Sequence, residues 1–228
     1  MFESSKIRYL RGDEFSKKYF AKKSVLDIGS GGDLVCSWAV PFDLDDGDAN
    51  NISFYFSPHS FDVVHSSHCL EHMFDPKKAL TDWWSLVKPG GYLILVVPDE
   101  SLYEQGIWPS AFNSDHKARF TTKKNPNSVE IINLKVLIEG LHDSKIIHLE
   151  IQDMNYIYDL KFLSNKKYCL NRPMLFRLLL KGFYRCPNFI KLFFIPILKV
   201  YVKKGFVIDQ TMGNALAQIQ VIVKKISS

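Results

Sequence analysis

Three short apolar runs frame the chain. Val25, Leu26 and Ile28, then Phe61 to Ser66 around Val63 and Val64, then Tyr92 to Val97 are dense in hydrophobic residues and too short for helices. Such runs fit the inner strands of a parallel sheet covered on both faces. A different period separates the second run from the third. Ala79, Leu80, Trp83, Trp84 and Val87 fall on one helical face, opened by Asp75 as cap and Pro76 in the first turn, and stopped by Lys88-Pro89-Gly90-Gly91. Alternation over Lys145 to Gln152 and Ala215 to Lys225 predicts two more strands, while Val129 to Leu141 and the aromatic, lysine-bearing Met1 to Lys23 read as helical.

The first apolar run ends in Gly29-Ser30-Gly31-Gly32-Asp33. Glycines there permit positive φ and let backbone N–H groups approach a carboxylate, phosphate or ribose. A dinucleotide fingerprint requires a third glycine and an acid about 20 residues further on. Here Leu34 holds the glycine's place, and the next strand-end acid, Asp43, comes only 12 residues after Gly31, which argues against a nicotinamide or flavin site. Phe42-Asp43-Leu44 reads as the end of a second strand, where an acid can accept both hydroxyls of a ribose. Asp45 is the rival for that place. The ten residues Asp33 to Phe42 cannot hold a full helix and a strand, so the first crossover is expected to be short or irregular.

Composition narrows the setting. At 228 residues with no proline- or glycine-rich linker, the chain is expected to form a single domain over residues 1–228. Four scattered cysteines without a C-x-x-C pair, and no basic-apolar leader, point to a reduced, cytoplasmic environment. The overall charge of +5 is uneven: residues 161–204 carry eleven Lys and Arg and no acid, leaving −6 for the rest. That stretch interleaves cations with apolar residues over Met174 to Lys181, Phe183 to Arg185 and Phe189 to Tyr201. It reads as a helical insertion packing as a lid, or as an interfacial helix touching anionic lipid at the inner membrane face. Basic charge with aromatics is poor evidence for nucleic acid, and none is expected.

Taken together, residues 24–99 resemble a class I S-adenosylmethionine-dependent methyltransferase of the group with a Leu-Glu-His signature. The matching pieces are Val25-Leu-Asp-Ile-Gly-Ser-Gly31, Gly47-Asp-Ala49, Ser60-Phe-Asp-Val-Val64, Ser66-Ser-His-Cys-Leu-Glu-His72 and Val87-Lys-Pro-Gly-Gly-Tyr-Leu93. Asn113-Ser-Asp-His-Lys117 and Asp209-Gln-Thr211 are similar to small bacterial methyltransferases of surface-polysaccharide synthesis. The resemblance implies an α/β, Rossmann-like fold with a seven-stranded, mostly parallel sheet of order 3-2-1-4-5-7-6, its last strand antiparallel, and the basic helical insertion before that strand. By position it implies Gly29, Ser30 and Gly31 at the methionine end of S-adenosylmethionine, Asp43 at the ribose, Asp48 and Ala49 at the adenine, and Ser66 and His68 beside the sulfonium.

The implied reaction is methylation of a sugar hydroxyl on a nucleotide sugar or surface glycan. A non-catalytic cofactor- or partner-binding protein of the same fold is the alternative. For a hydroxyl acceptor, a histidine base is the usual choice near neutral pH. His116 and His68 are the candidates, His116 from a polar segment, Glu100 to Asn127, that is long for a mere connection. That segment also holds Tyr103, Trp108, Asn113, Asp115 and Arg119, a set suited to a polar substrate, with Asp115 placed to orient His116. No ligand spacing compels a metal site among His68, Glu71, His72 and Asp115, and no metal is expected.

Overall fold

The computed structural model describes residues 3–124, 130–163, 167–169 and 171–226. Val129, Pro126, Asn127, residues 164–166 and Leu170, which belong to the helical, polar and basic stretches above, lie outside the described residues. The chain forms two compact units. The first comprises Met1–Pro98, Lys117–Ile151 and Ile219–Ser228, and the second comprises Asp99–His116 and Gln152–Gln218.

The strands in chain order are β1 (Val25–Ile28), β2 (Val40–Phe42), β3 (Phe61–Ser67), β4 (Val87–Pro98), β5 (Arg119–Thr121), β6 (Ile131–Asn133), β7 (Ser144–Gln152) and β8 (Gln218–Lys225). The helices are α1 (Glu3–Tyr19), α2 (Pro76–Ser85), α3 (Leu134–Glu139), α4 (Met174–Arg185) and α5 (Asn188–Lys203). The main sheet has the order β2-β1-β3-β4-β8-β7, and β1 is parallel to both neighbours, as β3 is to β4. Gln220 Nε2 donates to Glu150 Oε1 at one level and the Ile226 N–H to the Asp143 carbonyl near the far end. β8 therefore runs antiparallel to β7, as the resemblance implies.

The sheet has six strands rather than seven. The strand expected outside β2 is absent, because the chain between Asp43 and Ser60 is taken up by a short 3-10 turn, Ala49–Phe54. Asp48 caps that turn, and Trp83 Nε1 of α2 donates to the Ala49 carbonyl at 2.9 Å, clamping the connection onto the helix. No helix joins β1 to β2 either, as the ten-residue spacing requires. The Val129 to Leu141 stretch, expected to be helical, instead enters through β6, which pairs with β5 in a separate parallel ribbon, and only Leu134–Glu139 is helix. Helix α2 stops at Ser85, ahead of Lys88-Pro89-Gly90-Gly91; Val87, expected on its apolar face, instead opens β4, and the glycine stretch bulges inside that strand, since Val87 pairs with Phe61 and Tyr92 with Val63.

Apolar side chains divide by strand alternation, as the pleat demands. Leu26, Ile28, Val64, Leu93 and Leu95 bury one face under Leu80 and Trp83 of α2, with Phe120 and Ile138. Val25, Val63, Ile94 and Ile222 bury the other under Tyr19 and Phe20, at the end of α1. α1 is two helical pieces joined at Gly12, where φ is +63°.

A chain of polar contacts crosses that second face. Arg11 donates Nε to Gln220 Oε1 at 2.8 Å and Nη1 to His65 Nε2 at 3.1 Å. The His65 Nδ1–H then donates to Asp27 Oδ1 at 2.6 Å, and Asp27 Oδ2 accepts from the Val35 N–H at 2.7 Å. With Nε2 accepting, the His65 ring is neutral, in keeping with burial that holds its pKa below the ordinary value against the opposing charge of Asp27.

The second unit has a core of Leu160, Phe176, Leu180, Phe183, Leu198, Val202 and Ile208. Phe176 stacks on Tyr201 with ring centroids 4.7 Å apart. Asp209 caps the turn Gln210–Met212 by accepting from the Thr211 N–H and Oγ1, while the Gln210 amide brackets Ile157, accepting from its N–H and donating to its carbonyl. The Asp209-Gln-Thr211 motif thus has a structural use within this unit.

The neutral state of His65 makes stability depend on pH in one direction. Unfolded, this imidazole gains a proton near pH 6.5; folded, it resists, so protons favour the unfolded chain as pH falls through that value. The urea midpoint is expected to drop between about pH 7.5 and pH 5.5, and to drop less in His65→Gln, whatever that variant's absolute stability. Equal pH dependence in both proteins would contradict the neutral assignment.

Candidate functional site

The glycine turn opens at the carboxyl end of β1, and all the residues placed around the cofactor by the resemblance lie in the first unit. Gly29 has φ +72°, and a Cβ there would lie 2.6 Å from Cys69 Cβ, so both backbone and packing demand glycine. Gly31 and Gly32 also have positive φ, but a Cβ on either would meet nothing within 4 Å. The turn is closed on the Cys69 side and open above Gly31.

Asp43 is tied to this turn. Its Oδ2 accepts from Ser30 Oγ at 2.7 Å and from the Gly31 N–H at 3.0 Å. Asp45, the rival acid, is exposed on the loop beyond. Asp48 and Ala49 sit at the start of the 3-10 turn. The Asp48 carboxylate accepts from the Asn50 N–H and Nδ2 and from Asn51 Nδ2, and the Asn50 bonds, first among the causes, lower its pKa. Asp48 is therefore engaged in shaping the connection that replaces the missing strand.

β3 delivers the next group. Ser66 and Ser67 are buried at its end; the Ser66 hydroxyl has only the weak thiol of Cys69 beside it, and Ser67 Oγ has no partner among the described residues. Burial, with the charges of Glu71 and Asp43 added, pushes the Cys69 thiol up to about 12, so it stays protonated and is no nucleophile at neutral pH. His68 follows in the left-handed region, with φ +54°. Glu71 is buried between two partly exposed imidazoles, 3.5 Å from His68 Nδ1 and 4.0 Å from His72 Nε2. The Glu71 carbonyl accepts from the N–H groups of Lys117 and Ala118, which ties the short 3-10 turn Leu70–His72 to the chain entering β5.

His116 belongs to the second unit and is ordered by a residue that the sequence reading passed over. Its Nδ1 lies 2.6 Å from Glu104 Oε1, with both side chains almost wholly buried. Asp115, expected to orient the ring, is exposed, and its N–H donates to Asn113 Oδ1 at 3.1 Å. Glu104 closes a five-residue π-type turn, Glu100–Glu104, capped by Asp99, and Tyr103 of that turn places its ring 5.3 Å from the imidazole. Gln105, next in line, donates to the Ile208 carbonyl and accepts from the Phe162 N–H, so the polar segment is anchored within its own unit. Trp108, Asn113 and Asp115 stand in the same unit as His116, whereas Arg119 lies in β5 of the first, 3.2 Å from Glu130.

The residues present fit S-adenosylmethionine. The turn offers open backbone above Gly31, Asp43 turns an acid toward that turn at the end of β2, and the buried Ser67 hydroxyl at the end of β3 awaits a polar neighbour. Asp43→Ala is expected to weaken cofactor affinity by about 1 to 3 kcal/mol, the scale of hydrogen bonds to a charged group, with the fold retained. Calorimetry on Asp43→Ala beside Asp45→Ala checks it: loss in the second variant alone would reassign the acid.

Comparison with known proteins agrees with this geometry. The sequence model of a family described as a methyltransferase domain matches residues 6–126, more than half of the chain. No curated protein sequence matches. Among solved structures, a protein of Bacillus halodurans, provisionally assigned as a methyltransferase, has a TM-score of 0.53 at 14% identity, covering 99% of each chain. The YcgJ protein of Bacillus subtilis has a TM-score of 0.51 at 12% identity, over 93% of this chain and 95% of that one. At such identities these likenesses show the fold. An S-adenosylmethionine-dependent methyltransferase of Archaeoglobus fulgidus is 19% identical over 99% and 95% of the two chains, with a TM-score of 0.47. From the matched family domain, the parallel sheet and the glycine turn tied to Asp43, the chain belongs to the class I S-adenosylmethionine-dependent methyltransferases.

Proposed function

We propose that the enzyme methylates a sugar hydroxyl, on a nucleotide sugar or surface glycan, and that His116 takes the hydroxyl proton. The observation that carries this reading is the buried His116–Glu104 pair. An aliphatic hydroxyl keeps its proton at neutral pH, and a positioned base that accepts it as the C–O bond forms lowers the barrier. With Nδ1–H donating to Glu104, the basic lone pair of His116 is on Nε2, and the carboxylate stabilises the imidazolium that results. His68 fits the role less well, since it is partly exposed and stands 3.5 Å from the Glu71 carboxylate, against 2.6 Å in the buried His116–Glu104 pair.

Bound S-adenosylmethionine supplies a methyl group on a cationic sulfur that is already a good leaving group. The chain's own contribution is then alignment and exclusion of water. Gly29, Ser30 and Gly31 hold the methionine end, Asp43 the ribose, and Asp48 with Ala49 the adenine edge. Ser66 and His68 line the methionine moiety. Asp48 meets that edge with oxygens already engaged by Asn50 and Asn51, which favours Ala49 and the backbone as the direct contacts. Peripheral contact with an anionic membrane through residues 161–204 belongs to the same reading, because a glycan carried on a lipid is met at that surface.

Turnover measurements test the base. His116→Asn is expected to lower kcat by about 10² to 10⁴-fold with cofactor affinity near wild type, since the cofactor contacts lie on other elements. Glu104→Gln, which keeps the shape but removes the charge, should give a milder loss of the same kind. Full turnover without His116 across the pH range would sink the assignment and move the test to His68.

A further inference from the structure

The α4–α5 pair buries one face of each helix and leaves the other uncovered. Phe176, Leu180 and Phe183 of α4, with Leu198 and Val202 of α5, enter the second unit's core. On the opposite sides Met174, Leu178, Phe189, Phe193, Ile197 and Val200 are exposed, with Met174 at 78%, Phe193 at 76% and Phe189 at 69%. Residues 189, 193, 197 and 200 recur at helical spacing, so they form one stripe along α5, turned away from Leu198. A helix that is apolar on both sides is ordinarily buried or at a membrane, and a water-facing apolar stripe of this length marks a contact surface.

Charge selects the occupant. Arg177, Lys181, Arg185, Lys203 and Lys204 are exposed around these side chains, in a segment with no acid between residues 161 and 204. A second copy on this face would set like charge against like. A nucleic-acid strand would satisfy the cations but leave Met174, Leu178, Ile197 and Val200 facing a polyanion. An anionic bilayer offers both halves of the complement, phosphate headgroups for the cations and acyl chains for the stripe. Length fixes the mode. Sixteen residues of α5 span roughly 24 Å, less than the hydrocarbon core. Among the described residues, no helix is long and apolar enough to cross a membrane.

We infer that α4 and α5 lie in the plane of an anionic membrane interface, with the Phe189–Phe193–Val200 stripe of α5 inserted below the headgroups. The inference rests on the membrane contact proposed above and adds to it that apolar insertion, not charge alone, holds the protein there. The acceptor class narrows accordingly, to a glycan presented at a lipid surface.

Flotation of the full chain with vesicles of phosphatidylglycerol and phosphatidylcholine tests it. Binding to anionic vesicles at low salt is expected, falling about fivefold for each of Lys181, Arg185 and Lys203 changed to Gln. The double variant Phe189→Ser with Phe193→Ser should lose at least tenfold in affinity while keeping all its charge. These side chains touch no core, so circular dichroism and cofactor binding should match wild type. Anionic binding that survives the double variant but vanishes with the cations overturns insertion and leaves an electrostatic contact. No binding at low salt overturns both and returns the helices to the lid reading. The methyl-transfer reading is judged separately, by turnover of a soluble acceptor in the same variants.

Discussion

One buried carboxylate governs the first unit. Asp27 stands in β1 among Val25, Leu26 and Ile28, where an unpaired charge would be costly, and it is accommodated by two donors coming from opposite directions. The Val35 N–H sets the path of the chain as it leaves the glycine turn. His65 passes the constraint across to β3 and on to Arg11, which anchors α1 to β8 through Gln220. Removal of that carboxylate would leave a backbone donor and an imidazole unsatisfied in the core, so the turn, two strands and the covering helix share one electrostatic condition. The connection after β1 has no helix to hold it, and Asp27 takes over that task.

Much of this was legible in the residues. Apolar runs announced β1, β3 and β4, and Asp75-Pro76 announced α2, because each signal is local: a period of burial or a cap beside its own helix. Asp43 was likewise legible as the acid that ends β2, though its bonds to Ser30 and Gly31 were not. Non-local pairings were not legible. Nothing in the run around Glu104 distinguishes it from Glu100, and the π-type turn brings its carboxylate to a histidine twelve residues on. The helical period over Val129 to Leu141 misled for a related reason, since Ile131 and Ile132 suit a strand as well as a helix and pairing with β5 decided the matter.

The two units carry different burdens. Residues assigned to the cofactor lie on β3 and the turns that follow β1, β2 and β3, while the His116–Glu104 pair and the exposed helices belong to the second unit. The sheet is built on inner strands that few substitutions could alter without loss of the core. The second unit rests instead on aromatic packing such as Phe176 on Tyr201, and on side-chain brackets such as Gln105 and Gln210.

The missing strand leaves β2 as the border of the sheet, and a border strand is a template on which another chain can grow. β2 is only three residues long, and its middle residue is Pro41, exposed and without an N–H to offer. The shortening thus leaves a border poorly suited to edge-to-edge pairing with another strand. It also constrains engineering: a residue with a free N–H in place of Pro41 would add a donor to an edge that now lacks one.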